Sequence, residues 1–148
     1  VSGRTQGAGA QGAGTPQRGG DKPQRHVFEY ALVRVVPRVE RGEMFNAGVM
    51  VYCRAKSFAA ALTHLDEAKL LTLDPGADVA GVRAALHAVE GLCGGGEGAG
   101  QAAGDDPGRR FRWLSAPRSA VVQPGPVHTG LTADPHAELE RLLDVLVR

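Results

Sequence analysis

The side chains best suited to chemistry crowd into one stretch of the chain, where Arg118, Ser119, Gln123, His128 and Thr129 surround Pro124, Gly125 and Pro126. A proline fixes its own φ and biases the preceding residue toward extended geometry, so this backbone has few conformations open to it. The stretch reads as a rigid, proline-rich loop, and polar groups on such loops commonly bind or react. His128 could serve as general acid or base near neutral pH; the plainer role is to pin the loop by hydrogen bonds. Arg118 could clamp an anion in bidentate fashion. Ser119 lacks the flanking glycines of a nucleophile elbow and is a poor nucleophile.

A second arginine stands out upstream. Residues 27–36 form a β-branched and aromatic run whose even positions, Phe28, Tyr30, Leu32 and Val36, make an apolar face that Arg34 interrupts. A buried guanidinium needs a partner, because an uncompensated buried charge is costly. The structural expectation is a salt bridge to Glu43 or to an acid near the C-terminus such as Asp134. The functional one is an anion clamp, with the proline-rich loop folded over so that Arg118 and His128 approach Arg34. Asn46, with Ala47 and Gly48 at the start of a second strand, suits turn or bulge chemistry. A carboxamide aimed into a pocket is the alternative. The candidate catalytic residues are thus His128, Arg118 and Arg34. The candidate ligand-binding set is Arg34, Asn46, Arg118, Ser119, Gln123 and His128.

Other motifs carry less. Gly7-Ala8-Gly9-Ala10-Gln11-Gly12 satisfies G-x-G-x-x-G by letter, but no strand precedes it and no amphipathic helix follows. His64, Asp66, His87 and His136 show no metal-ligand spacing, so neither a metal nor a cofactor is expected. Arg109, Arg110 and Arg112 interleave with Phe111 and Trp113. If residues 111–114 form a strand, the aromatics enter the core and the arginines face out. A nucleic-acid platform would need both on one face, which makes that function the less expected one.

Composition narrows the class. The 148 residues suffice for one domain with a real core, and the net charge of +1 points to neither nucleic acid nor membrane. Charge is nevertheless uneven: residues 66–108 carry two basic and eight acidic side chains, residues 109–148 six basic and four acidic. No apolar run is long enough to span a bilayer, and the N-terminus lacks the apolar core of a secretory signal. The two cysteines, Cys53 and Cys93, read as reduced and buried. A cytoplasmic protein is expected. Fourteen arginines against three lysines, with abundant alanine and glycine, suggest a GC-rich bacterial genome such as an actinobacterium's.

The elements that must position these groups follow from period and punctuation. Residues 1–25 have too little apolar area to order and read as a disordered tail, with a single domain over 26–148. Strands are expected over 27–36, 46–53 and 58–64, the first covered on both sides. In the second, Ala47, Val49, Val51 and Cys53 should share a face. Arg38, Glu40, Arg41 and Glu43 make a solvated charged connection. Asp66 and Asp78 can cap two helices, the second carrying Val82, Ala85, Leu86, Val89 and Cys93 at helical spacing. Residues 94–108 read as a flexible glycine-rich loop. Asp134-Pro135 opens a C-terminal amphipathic helix with a stripe of Leu139, Leu142, Leu143 and Leu146. The sum is an α+β fold, an antiparallel sheet of three to four strands with helices packed on it.

Three blocks carry a family resemblance. They are Tyr30-Ala31-Leu32-Val33-Arg34-Val35-Val36-Pro37, then Phe45-Asn46-Ala47-Gly48-Val49, then Arg110-Phe111-Arg112-Trp113 leading into Ala116-Pro117-Arg118-Ser119 and Pro126-Val127-His128-Thr129-Gly130-Leu131. Over most of its length, from about Phe28, the chain resembles the bacterial domain of unknown function 3037 family. The resemblance implies a small stand-alone unit and brings forward a HipA-like kinase as partner; it assigns no catalytic residue. Two function classes remain: a non-catalytic accessory or interaction protein, and a small enzyme or anion- or nucleic-acid-binding protein using Arg34, Arg118 and His128.

Overall fold

A computed structural model describes residues 24–95 and 106–148. Most of the proposed tail, and the middle of the proposed glycine-rich loop, lie outside the described residues. The elements run β1 (His26–Val35), β2 (Phe45–Cys53), a short 3-10 turn (Arg54–Lys56), β3 (Phe58–Thr63), α1 (Glu67–Leu73), α2 (Val79–Gly94), α3 (Pro107–Ser115), β4 (Val122–Thr132) and α4 (Pro135–Leu146). The four strands form one antiparallel sheet in the order β3-β2-β1-β4. Both faces are covered, as the doubly apolar β1 implies. No helix among the described residues is long and apolar enough to cross a membrane.

Strand alternation divides the core in two. Ala31, Val33 and Val35 turn to one side and meet Leu70 of α1, Val82, Leu86 and Cys93 of α2, and Phe111 and Leu114 of α3. Phe28, Val49, Val51 and Cys53 turn to the other and meet Leu139, Leu142 and Leu143 of α4. Ala47 does not share a face with Val49 as the simple alternation suggests. The pairing slips by one residue there, from Val33↔Gly48 to Arg34↔Asn46, and this bulge sends Ala47 to the first core. Asn46 beside it donates from Nδ2 to the Leu146 carbonyl at 3.1 Å, holding the last turn of α4 to the sheet.

Helix starts follow the caps. Asp66, Asp78, Asp106 and Asp134 each accept from backbone N–H groups of the first turn. Asp106-Pro107 opens α3 by the same cap-plus-proline device that opens α4. Residues 111–114 are therefore helical rather than a strand, and residues 106–108 belong to a helix start rather than to the loop. The 94–108 stretch begins inside structure too: α2 runs through Gly94, and Gly95 takes the left-handed capping conformation at φ +71°.

The proline-rich stretch is not a loop. It is the edge strand β4, paired along β1 from His26↔Thr132 to Val35↔Val122. Val36 N donates to Val121 O at 2.6 Å, which fixes the phase of the ladder and turns the N of Pro124 toward the open edge. The register slips opposite Leu32, at Gly125 and Pro126. Prolines exclude a central strand and suit an edge.

Candidate functional site

The sheet separates the three candidate catalytic residues. Arg34 and His128 project from the side that α4 shares, while Arg118 lines a crevice with Val33, Met50 and Leu114 on the side of α1 to α3. Arg34 pairs with Gln123 and His128 with Tyr30, so four residues of β1, about 13 Å at ~3.3 Å per residue, separate even the two on one side. The folded-over loop expected to join all three does not exist, because its residues form a strand.

Each candidate has a local setting. Arg34 lies across Gly125, where an added Cβ would stand 3.0 Å from the guanidinium carbon. It forms no ion pair among the described residues: Glu43 is taken by Arg41 at 2.8 Å, and the Asp134 carboxylate accepts from His136 N and Ala137 N. The His128 ring is exposed and leans on Tyr30, centroids 5.2 Å apart. Asn46 is committed to α4. Ser119 is exposed in the connection between α3 and β4, and Gln123 is half-buried beside Pro124.

Arg110, Arg112 and Arg118 have separate tasks. Arg110 Nε donates to the Cys93 carbonyl at 3.0 Å and closes the C-terminal end of α2. Arg112 makes a bidentate pair with Glu29 at 2.8 and 2.6 Å, raising the guanidinium pKa further, and lies over the Tyr52 ring. Phe111 is fully buried and stacks on Tyr52, centroids 5.7 Å apart. These contacts seat α3 on β1 and β2. Helical spacing then sends Phe111 and Leu114 inward and leaves Trp113 58% exposed.

Trp113 is held in position rather than free. Arg118 places its guanidinium carbon 5.2 Å from the ring centroid, and the same group donates from Nη2 to the Trp113 carbonyl and from Nε to Ala116 O at 3.4 Å. One cation thus covers the indole and clamps the end of α3. Reading residues 111–114 as a strand buries Trp113 and hides this pair. The Asp106-Pro107 cap was the signal that could have revealed it.

Elsewhere, a polar cleft of about 380 Å³ lies between β3 and α2, where Glu90 accepts from Thr63 N at 2.8 Å and Thr63 Oγ1 at 2.9 Å. His64, His87, Glu67 and Arg83 line it. Glu67 is paired with Arg83, and His87 Nδ1 stands 3.8 Å from Glu90. A second, mostly apolar hollow of about 560 Å³ opens between the α1–α2 turn and the entry to β4. Both cysteines are buried and free. Burial pushes the Cys93 thiol up to about 12, against a smaller lowering by Arg110.

A four-stranded antiparallel sheet with helices on both faces defines an α+β protein. Its family model, described as protein of unknown function DUF3037, matches residues 30–147, and the chain belongs to that family. No curated protein and no solved structure matches the chain.

Proposed function

We propose that this is a non-catalytic accessory protein that docks on a protein partner through the Trp113–Arg118 pair. The observation that carries the reading is a large aromatic side chain, more than half exposed, pre-positioned by a stacked arginine. Tryptophan and arginine are the residue types most enriched among the anchors of protein interfaces. A side chain already fixed in the free protein loses less entropy on binding. The Glu29–Arg112 pair seats the supporting helix, so the anchor rests on a rigid base.

The family resemblance brings forward a HipA-like kinase as the partner to test. The alternative, a small enzyme or anion-binding site built on Arg34, Arg118 and His128, is favoured less because the sheet lies between Arg118 and the other two. Co-expression of the full chain with the HipA-like kinase of the same genome tests the reading. Wild type should co-purify, and Trp113→Ala should not, while keeping a wild-type circular dichroism spectrum. Retention of Trp113→Ala by the kinase would defeat the anchor; failure of wild type to co-purify would defeat the choice of kinase.

A further inference from the structure

The open edge of β4 carries an independent feature. Hydrogen-bonding direction alternates along β1, and Val36 points to β4. Tyr30 and Phe28 therefore point there too, and their partners His128 and Gly130 bond inward. Val127, Thr129 and Leu131 are left with N–H and C=O groups directed outward, where no strand lies beside them among the described residues. Pro124, with no N–H, blocks the other half of the edge. What remains is a short, usable template of the kind that folded proteins usually cover or charge.

Among the described residues no element covers this template, and its own sequence carries no charge. No Asp, Glu, Lys or Arg occurs from Ser119 to Ala133. Val127, Leu131 and the Val27 side chain beside Leu131 are 39%, 59% and 62% exposed on one face of the sheet. The spacing is self-complementary. In an antiparallel pairing about a twofold axis through Thr129, Leu131 meets Val127 of the other copy, and Thr129 meets its own equivalent. Every outward N–H then finds an outward carbonyl, and the exposed valine and leucine cover one another across the seam. Pro126 falls opposite Thr132 of the other copy, whose own N–H is directed to β1, so the proline removes nothing the pairing needs.

We infer that the edge of β4 binds a second copy of this chain, joining two four-stranded sheets into one continuous sheet through residues 127–131. An isologous contact of this kind closes at two copies, because each β4 edge is used up by the other and β3 lies at the far side of both sheets. The twofold carries one Trp113–Arg118 pair on each copy, so the dimer presents two anchors.

Sedimentation velocity of the full chain across micromolar concentrations tests this. Wild type should sediment as a dimer. Thr129→Pro, which deletes an N–H that β1 does not use, should sediment as a monomer. Leu131→Lys sets a charge against the other copy's Val127 at an exposed position that folding does not need, and should also give a folded monomer. Trp113→Ala should remain a dimer, which separates this contact from partner docking. A monomeric wild type at every concentration would overturn the inference, as would a dimer that survives both edge substitutions. A monomeric wild type whose partner binding is lost in Thr129→Pro would assign the edge to another protein and equally overturn the second copy.

Discussion

The ring of Phe28 lies across Gly130 of the neighbouring strand, so close that a Cβ on Gly130 would stand 2.7 Å from Phe28 Cε1 and 3.0 Å from Cζ. Phe28 is buried in the core beneath α4 and stacks on Tyr30, centroids 5.8 Å apart, so the ring has no free volume to enter. Overpacking of this kind costs about 1–3 kcal/mol. Gly130→Ala should lower stability by that amount in urea unfolding, with the slope unchanged. Wild-type stability would mean that the ring swings aside.

The C-terminal helix supplies most of the second core. Leu142 and Leu143 are buried against β2 and β3, and Leu→Ala at such sites costs about 2–5 kcal/mol. Each single substitution should lower the melting temperature markedly. A melt matching wild type in both would show that the stripe does not pack as described.

Asp106 accepts from Arg109 N at 2.8 Å at the start of α3. Asp106→Ala should cost about 1 kcal/mol, the usual loss for an N-cap. Since α3 carries Trp113, fluorescence of that single tryptophan reports the same loosening. An unchanged denaturation midpoint would show that the Asp106 cap does not stabilise α3.

The Cys93 thiol, raised to about 12 by burial, should stay protonated and resist alkylation in the native protein. The sign follows from the raised value. The folded state favours the protonated thiol, so the associated stability is complete below the ordinary thiol pKa of 9.0 and is lost as pH climbs from there toward 12. Mass spectrometry after iodoacetamide at mildly alkaline pH should find Cys93 unmodified until denaturant is added. Rapid modification in the native state would contradict its burial.

The sheet's first three strands and the helices capped by Asp66, Asp78 and Asp134 were legible because alternation, caps and periodicity agree there. Two elements were not. β4 holds Pro124, Gly125, Pro126 and Gly130, residues that count against a strand unless it lies at an edge, and edge position is a tertiary fact. α3 was hidden because Arg110-Phe111-Arg112-Trp113 alternates with period two, and because its cap sits at the end of a glycine-rich run that reads as loop. Both misreadings fell on the proposed site. Taking β4 for a loop brought Arg118 to Arg34, and taking α3 for a strand buried Trp113. The Arg34 expectation failed for a local reason: Glu43 has Arg41 two residues away.

Docking through Trp113 is tested by calorimetric titration of the kinase proposed above as partner into the full chain and into Trp113→Ala. An interface anchor of this type contributes about 2 kcal/mol or more, so the substitution should weaken the dissociation constant by roughly 30-fold or more. The melting temperature should stay that of wild type, because Trp113 lies outside both cores. An unchanged dissociation constant in a folded Trp113→Ala would show that Trp113 is not the anchor.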